Sequence, residues 1–185
     1  MINALNNVGL FLIETILSLF AYAVLLRFFL QLVKADFYNL LCQLIIRITN
    51  PCLKPLRRII PGFFGLDFAS LVLVYAVVLL QIILVEIISY KTFLIGWTTV
   101  WFLAVIQLIL NVIWMYILLI FILSISSWFT QRSYNPNVIV LNHLTEPLLR
   151  KARRIIPPTR SGIDFSPILV LIALICLQIF ISSIF

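Results

Sequence analysis

The amino-acid sequence predicts an all-α membrane protein: four transmembrane helices arranged as two parallel helix-pair repeats, with amphipathic interfacial helices in the two basic loops. Three observations predict it: four long apolar runs, a concentration of basic residues in two connecting loops, and a residue string that recurs at a nearly constant offset. The 185-residue chain is 64% hydrophobic and 10% charged, with a mean hydropathy of +1.20. A soluble domain is about half apolar and about a quarter charged, so this chain has too little polar surface to cover a globule in water.

The apolar runs cover roughly 8–33, 68–90, 98–128 and 165–185. A helix needs about 20 apolar residues to cross the hydrocarbon core, and each run qualifies. The third is long enough to tilt or to extend past the core. None shows the strict alternation of a barrel strand, and a lone span satisfies its own backbone in lipid only as a helix. The first nine residues carry no Lys or Arg, and the first run is too long for a signal-peptide core, so it is expected to remain as an anchor. In the third run, Trp97, Trp101 and Trp128 are placed as interfacial anchors, with Trp114 and Tyr116 as deeper packing residues.

Charge then orients the chain. Of its 13 Lys and Arg, Lys34, Arg47, Lys54, Arg57 and Arg58 fall in the loop between runs one and two. Arg132, Arg150, Lys151, Arg153, Arg154 and Arg160 fall in the loop between runs three and four. With four spans, both loops lie on one side. The positive-inside rule puts that side in the cytoplasm, with both termini and the connection between the halves outside. The net charge of +7 is therefore read as a membrane feature, and no nucleic-acid partner is expected. Arg27, near the inner end of the first run, is expected to snorkel. Cys42, Cys52 and Cys176 fit no metal spacing or redox pair.

Self-similarity defines the repeat. Residues 49–61 read TNPCLKPLRRIIP and residues 145–157 read TEPLLRKARRIIP, a shift of 96. After one inserted residue, Gly65-Leu66-Asp67-Phe68 meets Gly162-Ile163-Asp164-Phe165, and Leu80-Gln81-Ile82 meets Leu177-Gln178-Ile179. The chain divides into repeats 1–92 and 93–185, each with two spans and one basic loop. Two spans per copy give both copies the same orientation, with a pseudo-two-fold axis along the membrane normal.

Within the first loop, Phe37, Leu40, Leu41, Leu44, Ile45 and Ile48 follow helical spacing. Asn39, Gln43 and Arg47 are assigned to the polar face, and the helix is expected to lie in the membrane interface or against the bundle. Asn50-Pro51, and Thr145-Glu146-Pro147 in the second copy, are expected to start a further short helix. Pro61 and Pro157 stop it. Lys54, Arg57 and Arg58 share one face of that helix, as do Arg150, Arg153 and Arg154. These six cations suit phosphate, and the headgroups of anionic lipids are the nearest phosphates. A membrane-protein partner or a second copy of the chain are the other partners weighed. Asp67 and Asp164 are placed to cap the next span or to bridge to a loop arginine. Gly65 and Gly162 supply the preceding turns, and Ser166-Pro167 offers a second start for the last helix.

Polar residues inside the runs define a candidate ion path. Gln81 and Gln178 lie near mid-membrane, placed to bond between helices or to line the path. Gln107 and Asn111 form an i, i+4 pair. Glu14 and Glu86 are intramembrane carboxylates, which are functional candidates by default. Lys91 is placed to pair with Glu86. No catalytic constellation, phosphate-cradling glycine loop, metal motif or cofactor motif is present, and no enzyme is expected. His143, the single histidine, has no partner motif.

The strings Asn50-Pro51…Pro55-Leu56-Arg57-Arg58…Pro61 and Gly162-Ile163-Asp164-Phe165-Ser166-Pro167 are where the chain resembles a known family. It is similar to YggT proteins, related to the YlmG proteins of cyanobacteria and plastids, over nearly its whole length. Lys151-Ala152 stands where the first copy has Pro55-Leu56, and Ala69-Ser70 where the second has Ser166-Pro167. The resemblance implies a multi-pass inner-membrane protein. It implies a non-enzymatic role in tolerance of osmotic stress through ion transport or homeostasis. The alternative it implies is a scaffold or assembly factor for envelope, division or membrane-complex biogenesis.

Overall fold

In a computed structural model, the structure describes residues 2–33, 39–60, 62, 66–90, 96–129, 136–157 and 164–185. Those residues form six helices and no strand: α1 (Ile2–Leu32), α2 (Leu40–Ile59), α3 (Phe68–Tyr90), α4 (Trp97–Phe129), α5 (Pro136–Ile155) and α6 (Ser166–Ile184). Four are long and apolar enough to cross a bilayer, over Leu5–Leu32, Phe68–Ser89, Trp97–Ser126 and Ser166–Ile184. The chain is a multi-pass membrane protein. The 30-residue span of α4 is about 45 Å long at 1.5 Å per residue, well beyond the core thickness of about 30 Å. The sequence places Trp114 in the packing, yet it is 48% exposed. Tyr116 does pack, edge-on to Phe29 with ring centroids 5.3 Å apart.

α2 and α5 are the loop helices. Each is one 20-residue helix, where the sequence predicts an amphipathic helix followed by a shorter one. Pro51, Pro55 and Pro147 lie inside these helices rather than at new starts. A proline removes one backbone bond and crowds the preceding turn. Burial on one side carries the helix through: Cys42, Ile45, Thr49 and Leu53 in α2, and Leu141, Leu144, Thr145, Leu149 and Ala152 in α5. The hydroxyls of Thr49 and Thr145 donate back to the carbonyls of Ile45 and Leu141, at 2.8 and 2.9 Å, a bond that favours a slight bend. In α2, Leu40, Leu44 and Ile48 remain exposed, an apolar stripe suited to the membrane interface. Asn39, assigned to the polar face, is buried and caps α2 by accepting from the Leu41 amide at 3.0 Å.

The chain forms two compact units, Met1–Phe28 with Ile45–Val112, and Phe29–Leu44 with Ile113–Phe185. They cut across the sequence repeat, since α1, α2 and α4 each run from one unit into the other. The core of the first unit uses small and β-branched residues such as Ala21, Val24, Ala69, Val74, Val78, Val100 and Ala104. Such residues let helix backbones approach closely in lipid, where no hydrophobic effect drives association. In the second unit α5 packs against α6, and the core includes Ile120, Leu144, Leu149 and Val170.

Candidate functional site

Each repeat closes its basic loop on the next span with an Arg–Asp clamp. Asp67 stands one residue before α3, and its carboxylate accepts from the Arg57 guanidinium and from the Ser70 hydroxyl at 2.5 Å. The Ser70 amide donates to its other oxygen at 3.4 Å, capping the helix. Burial would raise the Asp67 carboxyl, but the hydrogen bonds from Arg57 and Ser70 outweigh it and hold the group below the ordinary carboxylate range. In the second copy, Asp164 accepts from Arg153 Nε at 2.8 Å and from the Ser166 amide at 2.8 Å. Burial again pushes upward, and the bonds from Ser166 and Arg153 win, holding Asp164 below its usual range. Asp164 precedes the capping position, which Phe165 occupies with a proline in the first helical turn.

The clamps leave the six predicted cations unequal. Arg57, though 39% exposed, and Arg153 are committed to the clamp aspartates, whereas Lys54, Arg58, Arg150 and Arg154 are exposed and outside the clamps. Glu146 receives Arg153 Nη1 at 3.0 Å and Arg150 Nε at 3.5 Å. Pro51 and Pro147 are exposed on their helices, and Pro157 follows the end of α5. Pro61, Gly65, Gly162 and Lys91 lie outside the described residues.

Arg27 does not snorkel. It is 6% exposed and donates through Nη1 to the Thr49 hydroxyl at 2.6 Å and to Asn50 Oδ1 at 2.9 Å. A buried guanidinium needs fixed acceptors, and the Thr-Asn-Pro string supplies them, tying α1 to α2. Arg27 is the one cation inside an apolar run, and its acceptors lie 22 and 23 residues along the chain.

Four of the six predicted path residues meet at one cavity. Glu14, Gln81, Glu86 and Gln107 line a space of about 480 Å³ with Ser18, all within the first unit. The Gln81 amide donates to Ser18 Oγ at 3.2 Å, while its carbonyl oxygen is buried without a hydrogen-bond partner. Gln107 donates to Asn111 at 3.4 Å, one turn further along α4; Asn111 is buried and is not among the lining residues. Gln178 belongs to the second unit, part-exposed on α6. Glu86 is buried and Glu14 is exposed. Ser18 had no sequence signal, being one hydroxyl in a long apolar run. Among the described residues no group of three His, Cys, Asp or Glu could hold a metal ion. The cavity lining offers hard oxygen donors from two carboxyl groups, two carboxamides and a hydroxyl.

A model of the CCB3/YggT family matches residues 6–88 and 102–185. An uncharacterised protein of Pseudomonas aeruginosa is 42% identical over 179 residues, covering 92% of this chain and 86% of the relative. The YggT protein of Escherichia coli K12 is 31% identical over 169 residues, covering 91% and 86%. An uncharacterised protein of Haemophilus influenzae is 32% identical over 176 residues, covering 95% and 92%. No solved structure matches the chain.

Proposed function

The chain belongs to the CCB3/YggT family, and from that premise we propose that it is a non-enzymatic inner-membrane protein that handles monovalent cations and supports ion homeostasis under osmotic stress. The observation that carries this is the cavity lined by Glu14, Ser18, Gln81, Glu86 and Gln107. Carboxylates inside a span are costly to keep and mark ion or proton routes. Carboxylate, carboxamide and hydroxyl oxygens are hard donors, which favour alkali cations over transition metals. The partnerless carbonyl of Gln81 adds an acceptor that a cation satisfies. At about 30 Å³ per water, 480 Å³ leaves room for a hydrated ion. On the positive-inside rule the loops with α2 and α5 face the cytoplasm and the termini the periplasm.

Liposomes with a potassium or sodium indicator test the proposal. The wild-type protein should pass the cation, and Glu14→Gln with Glu86→Gln should slow it by about tenfold while helicity is retained. No flux above protein-free liposomes, together with normal growth of a deletion strain at high osmolarity, overturns it.

The exposed Lys54, Arg58, Arg150 and Arg154 favour a second reading, an assembly scaffold that docks a membrane-protein partner or another copy of the chain. Reversing Arg58 and Arg154 to Glu should then remove co-purifying proteins; an unchanged set counts against it.

A further inference from the structure

We propose that the outward face of α5 is a phosphate site for the headgroup of one anionic phospholipid, held by Arg150, Lys151 and Arg154. These three line a cavity of about 490 Å³ with Val33, His143 and Glu146, all in the second unit. His143, Arg150 and Arg154 fall at i, i+7 and i+11, a single stripe along the helix. The opposite face of α5 is buried through Leu141, Leu144, Thr145, Leu149 and Ala152. That burial prevents the helix from rolling and fixes the stripe outward.

Position and charge select the ligand. Val33 directly follows α1, at the end of the first membrane span. Hydrocarbon gives way to headgroup phosphate at the end of a span. Arg153 is engaged by Asp164 and Glu146, which leaves the other three cations for the cavity. Arg150 meets Glu146 through Nε only, at 3.5 Å, with its side chain largely exposed, so its remaining N–H groups face outward. Guanidinium forks and an ammonium suit a headgroup whose phosphate diester carries net negative charge better than a zwitterionic one, in which a second cation already neutralises the phosphate.

The first copy serves as an internal comparison. At the offset of 96, Arg47, Lys54, Pro55 and Arg58 stand where α5 has His143, Arg150, Lys151 and Arg154. Both stripes hold three Lys or Arg. In α2 they are strung over twelve residues, about 16 Å along the axis. In α5 they occupy five residues, about 6 Å, a span one phosphate can bridge. The structure therefore assigns the tight headgroup site to the second copy.

Native mass spectrometry of the full-length protein in detergent tests this, titrated with dioleoyl phosphatidylglycerol or dioleoyl phosphatidylcholine. The first phosphatidylglycerol should bind about tenfold more tightly than phosphatidylcholine. Arg150→Gln, Lys151→Gln and Arg154→Gln together should weaken it by about 100-fold and abolish the preference, at the usual contribution per surface cation. Arg47→Gln, Lys54→Gln and Arg58→Gln together should change it by less than about threefold. If the α5 triple variant loses helicity, Lys151→Gln alone provides the measurement and should weaken binding about fivefold. Equal binding of the two lipids, or an α2 triple variant as damaging as the α5 one, overturns the assignment. Displacement of phosphatidylglycerol by about 10 mM inorganic phosphate points to a free-phosphate site and overturns the lipid source.

Discussion

Asp67 and Asp164 occupy equivalent positions in the repeat, and their environments predict unequal costs on truncation. Asp67 is 4% exposed and Asp164 is 30% exposed. Asp67→Ala removes a helix cap, typically about 1 kcal/mol. It also leaves the fully buried Ser70 hydroxyl without its acceptor, at about 1 kcal/mol or more. Arg57 is 39% exposed, so solvent screening reduces its ion pair to about 1 kcal/mol. The sum is about 3 kcal/mol. Asp164→Ala removes a part-exposed pair and one turn bond from the Ser166 amide. Arg153, itself 34% exposed, keeps Glu146 at 3.0 Å, so the cost is about 1 kcal/mol. Equilibrium unfolding in mixed detergent micelles, followed by helicity, measures both. Asp67→Ala should be the more destabilising by about 2 kcal/mol. Equal costs, or the reverse order, would refute the reasoning from burial.

The Asp67 clamp also carries a pH signature. Its carboxyl is held below the ordinary range, so its contribution is fully present above the unfolded value of about 3.9 and is lost as pH falls through the lower folded value. An acid titration of wild type against Asp67→Asn should therefore separate the two curves above about pH 4 and bring them together below it; a constant gap counts against the clamp. Arg27→Ala removes a buried side chain and two hydrogen bonds and should cost about 2–3 kcal/mol in the same micelles. The exposed Arg47→Ala should stay within about 0.5 kcal/mol. A membrane-impermeant maleimide should label the exposed Cys52 and spare the buried Cys42. It should do so in inverted vesicles and not in spheroplasts; labelling from outside reverses the orientation argued from charge.

The spans were legible because length and continuous apolarity decide them. The predicted 68–90 coincides with α3, and the other three agree to within a few residues or a turn or two of helix. What a span faces was not legible. The membrane helices are apolar on all sides, so no periodic stripe records which side is buried. That is why Trp114 was misplaced and why Ser18 could not be joined to Gln81, 63 residues away. The Arg–Asp clamps could be anticipated because both partners recur in the repeat. The environment of Arg27 was hidden because its acceptors lie 22 and 23 residues along the chain, and a lone arginine near the end of a span reads first as a snorkelling one. The prolines of α2 and α5 misled for a different reason. Their local preference for a helix start yields where one face of the helix is buried on both sides of the ring.

The two copies differ in a coupled way. The offset of 96 sets Arg27 against Leu123 and Asn50 against Glu146. In the first copy a cation from the span enters the loop helix, and the loop answers with the neutral acceptors Thr49 and Asn50. In the second copy the span supplies no cation, and the same loop position carries a carboxylate that draws Arg150 and Arg153 from its own helix. Either substitution alone is unfavourable. Arginine without Asn50 loses an acceptor in a buried setting, and Glu146 without its arginines is an unpaired charge. Together they give two solutions to one requirement, that the loop be fixed at the membrane edge. The first binds loop to span. The second binds the loop helix to itself and to Asp164, and leaves Arg150, Lys151 and Arg154 clustered. The intramembrane carboxylates Glu14 and Glu86 belong to the first copy, and the tightest cation cluster belongs to the second. The two copies of the string thus place the intramembrane carboxylates and the tightest cation cluster in different halves of one chain.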